Sequence, residues 1–314
     1  MTAPTDPPAR SDPFPRARPS ATERRRDFRR AMNGPRLLML PGAFTPLSAR
    51  LIADKGFDGV YCSGAVMSAE LGMPDIGLTT LTEVSNRVRD IVRVTDLPVL
   101  VDADTGFGEV VNLARTVQLL EEAGVTALHI EDQVNPKRCG HLDGKEVVDE
   151  RTATRRIAAC VSARRDPDLV IVARTDIRAV AGIDATVERA RALVAAGADV
   201  LFPEALASLD EYAVLRAALN VPILANVTEF GKNDLYTVEQ LTSAGVDLAI
   251  YPVSLLRLAM GAAERALDTL REEGTLAGLV PTMQTRARLY ELLKYADWNA
   301  FDASVFDFAV SDGT

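Results

Sequence analysis

Eight short apolar runs, separated by longer amphipathic stretches, constrain this chain more than any other feature. The runs are Leu37–Leu40, Gly59–Ser63, Val99–Asp104, Ala127–Asp132, Leu169–Thr175, Val200–Glu204, Ile223–Val227 and Leu248–Val253. Each is rich in Val, Ile or Leu and closes on a polar, Gly or Pro signal. Continuous apolar runs predict strands buried on both faces, hence a parallel sheet. Helical spacing fills the gaps. Val110–Glu122 sets Leu113, Val117 and Leu120 on one face and stops at Gly124, Ala185–Ala196 stops at Gly197, and Val238–Ala244 stops at Gly245. A glycine just past the last periodic residue is a helix stop signal. Eight such units over about 220 residues predict a (β/α)8 TIM-type barrel, for which ~250 residues is typical. A doubly wound open sheet is the alternative, but no Gly-x-Gly-x-x-Gly follows the first strand. Beyond Val253, the helical stretches Leu255–Glu272 and Thr282–Tyr295 exceed what one barrel needs and suit subunit packing.

Charge is unevenly spread along the 314 residues. The formal net charge is −9, yet residues 1–36 carry nine Arg, no Lys and four acids, a local +5 that leaves −14 for the rest. A body this acidic argues against nucleic acid as the main partner. Residues 1–24 read as a disordered Pro/Arg-rich tail by composition, with no apolar core of a secretory signal. Residues 25–314 read as a single barrel domain with a C-terminal helical extension, and the Arg24–Arg26 and Arg29–Arg30 cluster as the opening of a solvated helix. Cys62, Cys139 and Cys160 are sparse and odd in number, which argues against a disulfide framework and for a reducing compartment, the cytoplasm. No apolar run approaches the ~18 residues of a membrane span.

The active site of a parallel barrel is built from the C-terminal ends of its strands. Here those ends carry Tyr61 and Ser63, Asp102 and Asp104, His129, Glu131 and Asp132, Arg174 and Asp176, Glu204, then Asn226 and Thr228, with Arg257 just past the last strand. Asp102 and Asp104 are spaced i, i+2 and so share one face of a strand. Two like charges there repel unless a cation joins them. With Glu131 and Glu204 they make an all-oxygen set, which favours Mg²⁺, with Mn²⁺ the other possibility, over zinc. Capping of the next helix by Asp104, or an ion pair with Arg174, is the blander alternative. Arg174, Arg257 and Arg286 are candidate anion clamps, because a guanidinium meets a carboxylate bidentately. In the stretch Lys137-Arg138-Cys139-Gly140-His141, flanking cations favour thiolate and His141 can exchange protons with it. Cys139 is therefore a candidate acid/base or nucleophile. Cys62 and Cys160 read as core residues, and His129 as a satisfied core or supporting histidine.

The segments VDADTGFG (101–108), HIEDQVNPKRCGH (129–141), ARTD (173–176), LFPEA (201–205) and LANVTEFG (224–231) resemble the isocitrate lyase/phosphoenolpyruvate mutase superfamily. The resemblance runs from about residue 42 to 295, and the KRCGH loop is similar to its lyase branch. It implies a TIM-type barrel whose C-terminal helix is swapped between subunits of a homotetramer. It implies Mg²⁺-dependent cleavage of a tricarboxylate, 2-methylisocitrate, into pyruvate and succinate, a reaction of propionate catabolism. Position by position, Asp102 and Asp104 match the metal site, with Glu131 holding metal-bound water. Ser63, Gly64 and Ala65 match the loop around the pyruvate-forming end. Cys139 matches the catalytic cysteine and Gly140 a substrate contact beside it. Arg174, Glu204, Asn226, Val227, Thr228, Arg257 and Arg286 match further substrate-binding positions. Phe202 and Ile250–Pro252 match the region that reads the extra methyl group. One departure is visible: the first loop is Ser-Gly-Ala where other members have Ser-Gly-Gly.

The implied chemistry is a retro-aldol cleavage in which Tyr61 is the candidate base and Cys139, tuned by His141, protonates the departing carbanion. Isocitrate and 2,3-dimethylmalate are the rival substrates. A Schiff-base aldolase needs a strand lysine, and none of Lys55, Lys137, Lys145, Lys232 and Lys294 lies in a strand candidate. A binding protein without activity is the alternative from another class, although Cys139, Asp102 and Arg174 are all present.

Overall fold

The computed structural model describes residues 18–138, 140, 144–231 and 234–306. The chain divides into two compact units, a barrel of Pro19–Ala263 and a C-terminal unit from Glu264 onward.

The barrel strands are β1 (Leu38–Pro41), β2 (Val60–Cys62), β3 (Val99–Asp102), β4 (Ala127–Glu131), β5 (Val170–Thr175), β6 (Val200–Pro203), β7 (Leu224–Asn226) and β8 (Leu248–Tyr251). Its helices are α1 (Ala21–Met32), α2 (Pro46–Asp54), α3 (Gly64–Glu70), α4 (Leu81–Val92), α5 (Val110–Glu122), α6 (Glu150–Ala163), α7 (Arg178–Ala195), α8 (Leu209–Ala218) and α9 (Val238–Ser243), and α10 (Ser254–Glu273) starts in it. All strand pairings are parallel. One ribbon runs β2-β3-β4-β5-β6 and the other β1-β8-β7. Single parallel bridges, Gly42 with Tyr61 and Leu201 with Ile223, join the two ribbons into a ring. This is the (β/α)8 barrel that the eight apolar runs predict.

Strand parity sorts the side chains. Leu38, Leu40, Leu100, Val170, Val172, Val200, Phe202, Leu224, Leu248 and Ile250 form one cluster, the barrel interior. Their neighbours one residue away, such as Val99, Val101, Leu128 and Ile171, pack outward under the helices. Because the period is two, continuing the interior rows past the apolar residues brings Asp102, His129, Glu131, Arg174, Glu204 and Asn226 onto the inner face at the strand ends.

Phe28 and Met32 of α1 belong to the same interior cluster and close its far end. Arg25 is buried, where a solvated position was expected. Its guanidinium donates to the carbonyls of Val125 and Glu121, each at 2.9 Å, and pairs with Asp166 at 2.7 Å. Arg29 donates to the Asp168 and Leu169 carbonyls. These acceptors precede β4 and β5, so α1 caps the N-terminal end of the barrel. The helix begins at Ala21, not after residue 24, because Ser20 and Glu23 form a reciprocal capping box. Residues 1–17 of the expected tail lie outside the described residues.

The C-terminal unit contains the second half of α10, a 3-10 turn at Ala277–Thr282, α11 (Arg286–Leu292) and α12 (Tyr295–Phe306). The single helix expected over Thr282–Tyr295 is interrupted. Pro281 sits in the 3-10 turn, and Thr285 restarts the chain by accepting from the Arg288 N–H. Among the described residues, no helix is long and apolar enough to cross a membrane.

Candidate active site

A cavity of about 200 Å³ opens at the C-terminal ends of the strands. Tyr61, Ser63, Ala65, Asp102, Gly140, Arg174, Glu204, Asn226, Thr228 and Arg257 all line it, ten of the residues singled out from sequence. Phe202 and Pro252 line it too. Ile250 lies deeper, in the barrel interior.

Asp102 and Asp104 meet at the end of β3. The Asp104 N–H donates to Asp102 Oδ1 at 3.0 Å, and Asp104 has a positive φ of 46°, which Asp tolerates better than most residues. The Gly64 N–H donates to Asp102 Oδ2 at 3.0 Å. A Cβ on Gly64 would lie 2.8 Å from that same oxygen, so only glycine lets the α3 backbone approach so closely. Lys137 Nζ lies 2.7 Å from Asp104 Oδ1, an ion pair outside hydrogen-bond geometry, and also contacts Asp75. Burial opposes ionisation of Asp102, but the charges of His129, Lys137 and Arg174 hold its carboxyl down to about 2. Burial and then the Asp102 charge push Asp104 up to about 6. The two carboxyls are thus driven apart by their shared site.

Glu131 is buried at the end of β4, and neither of its carboxyl oxygens has a hydrogen-bond partner. Arg174 Nε stands 3.3 Å from Glu131 Oε2, and burial drives the carboxyl well above its usual range. Among the described residues, no three His, Cys, Asp or Glu side chains form a complete protein ligand shell. Two close aspartates and one unsatisfied glutamate instead suit a hard divalent ion that keeps several waters. The donor set therefore fits Mg²⁺ or Mn²⁺, with Glu131 placed to accept from metal-bound water.

Arg174 is the hub of the opposite wall. Its guanidinium contacts Asp176 at 3.0 Å and Glu204 at 3.3 Å, and lies over the Phe202 ring at 5.3 Å. Asn226 Nδ2 donates to Glu204 at 3.3 Å. Arg257 donates to Thr228 Oγ1 and to the Glu229 carbonyl. Tyr61 and His129 are paired inside the barrel, hydroxyl to Nε2 at 2.8 Å.

Other sequence-derived positions fall elsewhere. The Val227 side chain packs between sheet and helices, because strand parity turns it away from Asn226, and it does not line the cavity. Arg286 opens α11 in the C-terminal unit. Cys139 and His141 lie outside the described residues. Cys62 and Cys160 are buried, and burial pushes each thiol up to about 12, as core residues. Asp75, Lys145 and Glu229 were missed. Asp75 sits in a loop with no motif around it, and Lys145 meets Asp176, 31 residues away, only through the fold.

A sequence model of the family described as phosphoenolpyruvate phosphomutase matches residues 28–271, most of the chain. The chain belongs to this family. Among its relatives is a Corynebacterium glutamicum protein named as a probable 2-methylisocitrate lyase. The two are 57% identical over 288 residues, covering 92% of this chain and 94% of the relative. A solved 2,3-dimethylmalate lyase superposes with a TM-score of 0.84 at 34% identity, covering 93% of this chain and 99% of that one. A phosphonopyruvate hydrolase solved with oxalate and Mg²⁺ superposes at 0.79 with 27% identity, covering 89% and 98%. The family's relatives named for carbon–carbon cleavage span nearly the whole chain, and this chain is a lyase of that kind.

Proposed function

We propose that the chain cleaves 2-methylisocitrate into pyruvate and succinate with the help of Mg²⁺. The observation that carries this is the cavity in which Asp102 faces Arg174, Asn226 and Arg257, with Asp104 bonded to Asp102 and Glu131 3.3 Å from Arg174. One wall suits a cation and the other suits carboxylates. The choice of substrate is supported by relatives named for it, at 57%, 47% and 46% identity.

Asp102 and Asp104 would hold Mg²⁺, with Glu131 accepting from its water. The bound ion would lower the pKa of the substrate's 2-hydroxyl and offset charge developing on that oxygen. Tyr61 is the candidate acceptor of the hydroxyl proton. Burial and then Asp102 drive its phenol well above 10, so it carries its own proton and can take another only by passing that one to Nε2 of His129, 2.8 Å away. Arg257, Asn226 and Thr228 orient the carboxylate of the succinate half, and Ser63, Gly64, Ala65 and the Val227 backbone position the remainder. Gly140 and the Arg174–Glu204 pair shape the floor between them. Cys139 supplies the proton that quenches the succinate carbanion, and His141 tunes it. Arg286 adds a substrate contact. Phe202 and Pro252 form the apolar wall for the extra methyl group, worth about 1–3 kcal/mol of discrimination.

A homotetramer with exchanged C-terminal helices is part of the same reading. Its support is apolar surface. The helix α10 buries no residue and exposes Leu258, Met260, Leu267 and Leu270, while the C-terminal unit exposes Tyr290, Tyr295, Trp298 and Phe301. Large exposed apolar patches mark association surfaces.

The test is product identification by proton NMR after incubation with 2-methylisocitrate and Mg²⁺. Equal amounts of pyruvate and succinate, abolished by chelator, are expected. Turnover of 2,3-dimethylmalate alone would instead favour the activity of the 34%-identical solved relative.

A further inference from the structure

Lys145 is a buried lysine that lines no part of the cavity and has no role in the chemistry above. Its side chain is only 1% exposed. The ammonium donates to the carbonyl oxygen of Gly140 and, at 2.7 Å, to Asp176 Oδ1. Asp176 is itself fully buried and accepts from Arg174 Nε at 3.0 Å and Nη2 at 3.3 Å. Its backbone N–H is fixed by Asp132 at 2.9 Å, and Asp132 is held in turn by Thr175 and Arg189.

Gly140 touches the other side of the same pair. A Cβ built on it would come within 2.6 Å of Arg174 Nη2 and of Glu204 Cδ. The contacts therefore close a ring: the Gly140 carbonyl to Lys145, Lys145 to Asp176, Asp176 to Arg174, and Arg174 with Glu204 back to the Gly140 α-carbon. Arg174 is shared among Glu131, Asp176 and Glu204, so the ion pair of Lys145 with Asp176 adds needed positive charge. Charge balance does not require the second bond of Lys145, to the backbone of a loop residue. Desolvating an ammonium is costly, and here two bonds, one of them to a buried carboxylate, offset that cost.

We propose that Lys145 is a positioning residue that seats Gly140 on the Arg174–Glu204 pair, so that β5 sets where Gly140 meets the substrate. This rests on the lyase reading given above. The Arg174 grip on the substrate and the seat of Gly140 then share one buried carboxylate, Asp176. A misplacement of about 1 Å at such a seat costs up to roughly a hundredfold in rate.

The test compares wild type, Lys145→Met, Asp176→Asn, the double variant and Gly140→Ala, each confirmed as folded by thermal melt. For Lys145→Met, kcat on 2-methylisocitrate should fall at least about tenfold, with KM and Mg²⁺ dependence little changed. The double variant should be no slower than Asp176→Asn alone, because both act through one contact. Gly140→Ala should lower kcat in the same way and stands in if Lys145→Met does not fold. A second readout is the pH profile of iodoacetamide alkylation, located by peptide mass. With the Cys62 and Cys160 thiols at about 12, it follows Cys139. The profile should shift in Lys145→Met. A folded Lys145→Met with wild-type kcat and an unchanged alkylation profile would overturn the proposal, as would a fully active Gly140→Ala. Wild type without any turnover would sink the lyase reading alone, since the alkylation comparison still decides the role of Lys145.

Discussion

The Tyr61 hydroxyl lies 2.8 Å from Nε2 of His129, and His129 Nε2 lies 3.6 Å from Asp102 Oδ1. All three side chains are buried. Burial lowers the His129 imidazole to about 4 against an ordinary 6.5, more than the Asp102 charge can restore. Between those two values the unfolded chain binds a proton that the folded chain refuses. This contribution to stability is therefore present above about pH 6.5 and is lost as pH falls toward 4. The chain has only two histidines, so NMR resolves them. One imidazole should stay neutral down to about pH 4, and His129→Gln should flatten the pH dependence of thermal stability in that window. Two imidazoles titrating near 6.5 would contradict the buried neutral assignment.

The same pair makes Tyr61→Phe informative. The ring still fills the barrel interior, so fold and Mg²⁺ affinity should be retained. The proton acceptor is lost, and kcat should drop by about 10²–10⁴-fold, the usual span for a positioned acid or base. Steady-state rates with a parallel Mg²⁺ titration check this. Loss of metal binding together with rate would place Tyr61 in a supporting role.

Most of the barrel was readable because buried parallel strands leave an apolar signature that few other elements share. All eight strands lie within about two residues of their runs, the ordinary error at element ends. The Asp102–Asp104 pair and Arg174 were readable because parity and strand ends fix where they point. Arg25 was not, because a local run of arginines looks the same whether it faces water or the carbonyls beneath β4 and β5. Asp75 and Lys145 were not read either. Their partners, Lys137 and Asp176, are 62 and 31 residues away in the chain, a distance that local pattern does not span.

Arg174 holds three carboxylates, those of Glu131, Asp176 and Glu204. Removing it leaves buried negative charge uncompensated. Arg174→Met should destabilise the fold by about 3–5 kcal/mol as well as abolish turnover. Urea unfolding in the absence of metal measures the first effect. A variant as stable as wild type would mean that the three carboxylates share protons rather than depend on the guanidinium.

The opposite end of the barrel separates stability from chemistry. Phe28 plugs the interior from α1, far along the strands from Asp102. Phe28→Ala should cost about 3–5 kcal/mol in unfolding experiments. The rate per folded molecule should be unchanged below the melting transition. A selective loss of kcat would show that the plug tunes the site.

Following pyruvate release from 2-methylisocitrate, isocitrate and 2,3-dimethylmalate side by side, with Mg²⁺ and with chelator, in wild type and Cys139→Ser, decides whether this chain is the lyase proposed above. The prediction is chelator-sensitive turnover with the highest kcat/KM on 2-methylisocitrate, and its collapse in Cys139→Ser. Absence of pyruvate from all three substrates, in folded protein that binds Mg²⁺, would contradict it.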